Sequence, residues 1–380
     1  MIRMQSPGKR AAALLVDRAL SVVAPLIVPG RSATTLPPAP RVLLVRCDHI
    51  GDAAMGTAVL QPLRATLQPS HLDVLAGPWA ASLFDGHPAV DETIVYATPW
   101  WLAARGAPRA ERRAAWRALP TIIRRLRRNR YDIGIELRGD LRQVVFFLAL
   151  PRIPIRVSSD RTGGRQLLTH IAAYTPGRHE VELDRAIVAT LGVDPASCTP
   201  DLGPLPALPM DTERRVSALG EIMVLALRGN HPYKAWPPEN AAALVDRAAR
   251  ELGLAAVVVG GPGEHAIAAD IIDRARAPVL DLTGALTLRE MAALCRRSAV
   301  TVAVDSGPMH VAAAAGAAVV GLFGSTDPTC YRPWGERTRV ASVNAPCGCA
   351  PPRCRFASGS GQCMRQLTPD AVVDAIRGLA

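Results

Sequence analysis

What most constrains this chain is a rhythm. Short apolar runs end on a polar or glycine-bearing loop, and an alanine- or leucine-rich segment follows. RVLLV from Arg41, HLDVLAG, ETIVY and YDIGIEL carry it in the first half. EIMVLAL, LAAVVVGG, PVLDLTG, VTVAVDSG and AVVGLFGST carry it in the second. Apolar runs of roughly four to eight residues bounded by turn signals read as buried strands. Strands that alternate with helices call for a parallel sheet covered on both faces. The 380 residues suffice for two such cores, so the expected fold is α/β, with two doubly wound units of about equal size.

Two proline-rich stretches divide the chain. RSATTLPPAP (Arg31 to Pro40) sets off the N-terminus, and TPDLGPLPALPMDTE (Thr199 to Glu213) reads as an interdomain linker. The expected domains are residues 1–40, an amphipathic helix and linker; 41–205 and 206–345, the two doubly wound units; and 346–380, a cysteine-rich loop and closing helix. In the last, Thr368 is the expected N-cap and Pro369 the first helical residue. The segment GKRAAALLVDRALSVVAPLIVPG is a poor membrane span and a poor signal peptide, because Asp17 and Arg18 interrupt its apolar run and Pro25 and Pro29 end it. It reads as a helix lying on a membrane surface or packed on its own domain.

The net charge of +11 points to an anionic partner: nucleic acid, an anionic membrane, or a phosphorylated or acidic substrate. The basic stretch RGAPRAERRAAWRALPTIIRRLRRNR has almost no aromatics for base stacking and no nucleic-acid motif, so nucleic acid is not the expected partner. As a helix it sets a basic face beside Leu119, Ile122, Ile123 and Leu126. That suits an anionic inner-membrane surface or an acidic glycolipid, or plain solvation. Arg138, Arg142 and Arg161, beyond this stretch, are the candidate ligands of an acidic substrate. Of eight cysteines, Cys47, Cys198, Cys295 and Cys330 are scattered; Cys347, Cys349, Cys354 and Cys363 crowd into CGCAPPRCRFASGSGQC. Four thiols so close can wrap a structural zinc or iron, form two disulfides or stay free. A chain of this length with this usage fits a reducing cytosol.

Four loops at the ends of expected strands carry the chemistry. In VRCDHIGDAAMG, Asp52 opens a helix whose dipole favours its charged form; it is the candidate general base, with Asp48 its rival and helix capping the bland alternative. In LRGNHPYKAWPPEN, Gly229 and Asn230 permit a tight turn, and Lys234 stands before a helix, a cradle for phosphate. In VGGPGE, Glu264 is a candidate to accept from a ribose or base, with a helix-start acid favoured by the dipole the alternative. In VAVDSGPMH, Asp305 ends a strand, Ser306 and Gly307 turn the chain, and the helix that follows, carrying His310, points its first amides at a ligand.

These stretches resemble glycosyltransferase family 9, the ADP-heptose:lipopolysaccharide heptosyltransferases. The resemblance runs from about Arg41 to the C-terminus. It rests on RCDHIGDAAMGTAVLQPLR, YDIGIELRGDLR, KAWP, GGPGE and DSGPMHVAAAAG, in that order. It implies a GT-B architecture: two facing Rossmann-like domains with a cleft between, acceptor on the first and nucleotide-sugar on the second. It also implies inversion at the anomeric carbon with no catalytic metal or other cofactor. The cysteine usage makes the cytoplasm the expected location, with the cytosolic face of the inner membrane an option for the N-terminal helix and the basic stretch. Asp52 would be the base. Gly229, Asn230, Lys234, Glu264, Asp305, Ser306, Gly307 and His310 would bind an ADP-sugar, and the acceptor would be an acidic glycolipid. The chain departs from the family at Ser306, where threonine is usual, in RGNHPY, and in its N-terminal extension. Another nucleotide-sugar donor, or a binding protein without catalysis, are the alternatives.

Overall fold

The computed structural model describes residues 36–229, 231–343 and 361–379. The N-terminal segment, Asn230 and three of the clustered cysteines, Cys347, Cys349 and Cys354, lie outside them. The chain divides into two compact units at Thr199 and Pro200.

The first unit is built on a six-stranded sheet in the order β3-β2-β1-β4-β5-β6. Its strands are β1 (Arg41–Arg46), β2 (His71–Ala76), β3 (Glu92–Val95), β4 (Ile133–Glu136), β5 (Ile155–Ser159) and β6 (His170–Ala172). All neighbours run parallel. Parallel strands covered on both faces need apolar side chains on both, which is why RVLLV reads as a near-continuous run. Leu43, Val45, Leu75, Ile94, Leu119, Leu126 and Phe147 share one buried cluster in this unit.

The second unit repeats the plan. Its order is β12-β11-β10-β7-β8-β9, from β7 (Ile222–Ala226), β8 (Ala255–Val258), β9 (Val279–Asp281), β10 (Val300–Val304), β11 (Val319–Phe323) and β12 (Thr338–Ser342). Counted within each unit, both orders are 3-2-1-4-5-6, the dinucleotide-fold order. The expected pair of Rossmann-like units is therefore present. The closing helix Pro369–Arg377 is capped by Thr368, which accepts from the Ala371 amide, and carries Pro369 in its first turn. It shares the second core with Trp236, whose indole nitrogen donates to the Leu367 carbonyl at 3.0 Å. The stretch read as linker ends sooner than expected: Met210–Ser217 is already helical, with Asp211 and Glu213 in its first turn.

In this strand order, the direction in which successive strands are added reverses between the first and fourth strands, and the loops leaving those two strands part to open a crevice. The pairs are β1/β4 in the first unit and β7/β10 in the second.

Candidate functional site

At the β1/β4 point, β1 ends in Arg46-Cys47-Asp48-His49 and runs into the helix Ile50–Gly56. Asp52 lies in the first turn of that helix, 8% exposed. From the β4 loop, Arg138 donates to Asp52 Oδ2 at 2.7 Å and to Asp48 Oδ2 at 3.2 Å. From β1, Arg46 donates through Nε to the Asp52 carbonyl at 2.8 Å and through both terminal nitrogens to Asp184. Burial pushes the Asp52 carboxyl up, but the charges of Arg138 and Arg46 outweigh it and hold the group well below the usual carboxylate range. The side chain of Asp48, the rival base, is fully buried, whereas that of Asp52 is 10% exposed, so Asp52 is the acid a ligand can reach.

Arg138 is itself held on several sides. Its guanidinium lies 4.8 Å from the centroid of the Trp101 ring, and the same ring packs edge-on against His49 at 4.6 Å. Burial pushes the His49 imidazole below its ordinary value. The loop that presents Arg138 is pinned by Glu136, the last residue of β4. The Glu136 carboxylate accepts from the amides of Arg138, Gly139 and Asp140, at 3.1, 2.7 and 3.2 Å, and from the Ser158 hydroxyl at 2.6 Å. Burial, helped by Asp140 and Asp48, raises its pKa to about 8. Gly139 has φ of +69°, and a Cβ there would stand 2.3 Å from the Ser159 hydroxyl, so this turn demands glycine.

The other two expected acceptor residues are also near this loop. Arg161 reaches both oxygens of Glu180 at 3.2 Å and stacks on Tyr174, and its charge bears on Asp52. Arg142 is bidentate to Asp140 and lies over Trp100, with about half of its side chain exposed (53%). Sequence reasoning missed Arg46, Glu136, Glu180 and Asp184. Two signals were available, for Glu136 and Arg46 alone: an acid closing the apolar core of IGIE and a cation closing VLLVR.

At the β7/β10 point of the second unit, the loop after β7 brings Lys234 to the end of β10. Its Nζ donates to Asp305 Oδ2 at 2.7 Å and to the Asp305 carbonyl at 3.2 Å. His310 Nε2 stands 3.9 Å from Asp305 Oδ1. Gly229 lies under this pair: a Cβ there would sit 3.3 Å from the Lys234 side chain. Ser306 is the N-cap residue of the helix Gly307–Ala314, yet its hydroxyl makes no cap bond and has no partner among the described residues. The helix's first amides are thus left uncapped by it. Ser325, just beyond the neighbouring strand β11, is 7% exposed and its hydroxyl is likewise unpartnered among the described residues. Sequence reasoning missed it. Glu264 follows β8 and folds back over Gly260, where burial raises its pKa. The structure thus brings Gly229, Lys234, Asp305, Ser306, Gly307 and His310 to one crevice edge, with Glu264 in the turn that follows the adjoining strand β8.

Cys363 is buried, and it and Met364 lie against Gly324. Among the described residues no group of three or more histidine, cysteine or acidic side chains is placed to hold a metal ion. No helix there is long and apolar enough to cross a membrane.

Comparison with known proteins gives a consistent answer. Among curated proteins, the chain is 25% identical over 295 residues to an Escherichia coli lipopolysaccharide heptosyltransferase 3, covering 75% of this chain and 83% of the other. It is 26% identical over 329 residues to lipopolysaccharide heptosyltransferase 1 of Pseudomonas aeruginosa, covering 83% and 88%. Its fold matches the glycosyl transferase family 9 structure from Veillonella parvula with a TM-score of 0.71 at 21% identity, covering 91% of this chain and 98% of that one. The match to the E. coli heptosyltransferase WaaC with ADP has a TM-score of 0.67, also at 21% identity, covering 90% and 100%. The family description "Glycosyltransferase family 9 (heptosyltransferase)" matches residues 120–355, more than half of the chain. The chain belongs to glycosyltransferase family 9 and is a transferase of the heptosyltransferase type.

Proposed function

We propose that this enzyme moves a heptose, or a closely similar sugar, from an ADP-sugar to an acidic glycolipid acceptor of the lipopolysaccharide core, with inversion and without a catalytic metal. The observation that carries the reading is the charge assignment at the two switch points. One holds an ionised acid that a ligand can reach, and the other holds a lysine beside uncapped amides and unpartnered hydroxyls. The names of the curated relatives support the acceptor class.

In this reading residues 41–205 bind the acceptor and 206–345 the donor. Asp52 takes the proton of the acceptor hydroxyl as its oxygen attacks the anomeric carbon. The bond from that carbon to the diphosphate oxygen breaks on the opposite face, and ADP leaves. Lys234, Ser306 and the amides after Asp305 stabilise the departing negative charge. Asp305 acts by orienting Lys234 and His310, since a carboxylate has no attraction for phosphate. Gly229 lets the lysine lie close, Asn230 adds a donor to the same loop, and Glu264 accepts from the ribose or base.

Arg138 gives the site its control. While it pairs with Asp52, that acid is too weak a base to take a hydroxyl proton efficiently, because a general base works best with a pKa near the working pH. An acidic acceptor draws Arg138, with Arg161 and Arg142, onto its own negative groups. Asp52 then faces the hydroxyl with its pKa released upward by burial. The acceptor thereby switches on the base that deprotonates it.

The clustered thiols of Cys347, Cys349, Cys354 and Cys363 are read as a structural zinc or iron site, tested by metal analysis of the purified protein. The enzyme is read as cytoplasmic and peripheral to the inner membrane. The test of the donor is a thermal-shift panel of ADP-, UDP- and GDP-sugars. ADP-sugars alone should raise the melting temperature. Stabilisation by a UDP- or GDP-sugar instead would transfer the assignment to another donor, and by none would leave a protein that does not bind donor.

A further inference from the structure

The helix Arg109–Arg128 carries a charge pattern that its own fold does not use. Arg109, Arg112, Arg113, Arg117, Arg124, Arg125, Arg127 and Arg128 share it with the single acid Glu111. Among the described residues only Arg125 has a carboxylate partner, Glu92. Arg109 and Arg113, Arg113 and Arg117, and Arg124 and Arg128 are like charges four residues apart, which oppose the helix. Arg109, Arg112 and Arg113 also crowd its N-terminal turns, where the dipole already presents positive charge. Leu119 and Leu126 fix the inner face on the core, so the arginines are left outward.

Against those N-terminal turns lies a cavity of about 380 Å³, lined by Trp100, Trp116, Arg109, Arg112 and Arg113. Trp100 stacks on Phe146 at 5.8 Å and meets Trp116 edge-on at 6.1 Å. Trp116 is 50% exposed, the most exposed tryptophan among the described residues. The Arg112 Nε is buried without a hydrogen-bond partner among them. An apolar floor of indoles is thus rimmed by guanidinium groups that lack counter-ions.

We propose that this face docks the enzyme on an anionic phospholipid bilayer, with a headgroup phosphate in the Trp100–Trp116 cavity among Arg109, Arg112 and Arg113. The layering of the site matches the layering of the membrane edge. Indoles favour the interfacial zone, where one side of the ring is apolar and the other wet, and arginines at that depth meet the phosphates of an anionic leaflet. Soluble acidic partners offer the charge without an apolar layer for the exposed ring of Trp116. The proposal deepens the peripheral placement given above and makes it a property of one helix and one cavity, which borders the candidate acceptor group where Arg142 lies over Trp100.

The test uses the full chain and vesicles of phosphatidylcholine with or without phosphatidylglycerol. Two variants are compared with the parent: R109Q/R112Q/R113Q, which keeps helix-forming residues and removes like-charge repulsion, and W116F. The parent should co-sediment with the phosphatidylglycerol vesicles and release as salt rises. The triple variant should lose affinity on the order of a hundredfold, the scale set by three cationic side chains at such a surface. Brominated phosphatidylglycerol should quench tryptophan emission in the parent and quench it less in W116F, which keeps Trp100 in the same cavity. Both variants should turn over a water-soluble, lipid-free acceptor as the parent does, which separates failure of this proposal from failure of the transferase assignment. Undiminished vesicle binding by the triple variant would overturn the proposal, placing membrane affinity elsewhere in the chain. A raised KM for the lipid-free acceptor would overturn it too, making the cavity an acceptor subsite.

Discussion

The two units share a strand order and place a cation–carboxylate pair at the same topological point, yet the pairs are built differently. In the first, Asp52 is one acid in a buried network that also holds Asp48, Asp184, Arg46 and Arg138. In the second, Lys234 and Asp305 form a short pair beside His310, and the remaining polar groups are a helix start and two serine hydroxyls that bond nothing in the described protein. The first arrangement fixes the charge of an acid and makes it depend on whichever group holds the arginine. The second leaves donors open toward an anion. In the proposed mechanism one fold thus serves as both base and seat for a leaving group, because side chains at the strand ends set the electrostatics while the sheet sets only position.

The largest effect that separates the two sites is that of Asp52→Asn. Turnover should fall by roughly 10²- to 10⁴-fold, the scale of general-base catalysis, as read from steady-state rates. Lys234→Ala comes next. It removes a charged donor and leaves the Asp305 carboxylate facing the diphosphate, so donor affinity should drop by about 10- to 100-fold, the equivalent of a charged hydrogen bond. Arg138→Gln should raise the acceptor KM by about tenfold, again the scale of one charged hydrogen bond. It should also move the acid limb of the pH profile of kcat/KM upward, since Asp52 loses the largest of the charges that depress it.

Glu136 tests the scaffold behind that arginine. Its folded pKa, raised from 4.5 to about 8, means that the folded protein binds a proton the unfolded chain has released across that window. Its contribution to stability is therefore lost as pH rises through the window. Thermal denaturation of Glu136→Gln should show a flatter pH dependence there than the parent. The smallest effects belong to Ser306→Ala and Ser325→Ala, each expected to weaken donor binding about two- to tenfold, as for a neutral hydrogen bond. Equal binding in the Ser325 variant would narrow the donor site to the β10 loop.

Much of this plan could be read from the sequence wherever one segment carried its own signal. The central strands announce themselves as apolar runs, and Asp52, Lys234 and Asp305 stand on the loops that follow. Two of the four edge strands, β6 and β12, and the polar β5 did not. IRVSS in β5 buries Arg156 and Ser158, and the three-residue HIA of β6 and TRVAS of β12 lack an apolar run altogether. Their pairing is decided by neighbours, which local pattern does not show. The network around Asp52 was hidden for a similar reason. Arg46 and Asp184 are 138 residues apart and acquire meaning only when the sheet and the helix Glu180–Ala189 bring them together. Ser325 gave no signal either, since a serine after a strand is common and only its buried, unpartnered hydroxyl sets it apart.

The central claim is a division of labour: the first unit supplies the base and the second holds the diphosphate. It is tested most directly by calorimetric titration of an ADP-sugar, without acceptor, into the parent, Asp52→Asn and Lys234→Ala proteins. The account predicts parental affinity for the Asp52 variant and a loss of tens of fold for the Lys234 variant. Equal weakening in both, or parental affinity in the Lys234 variant, would contradict it.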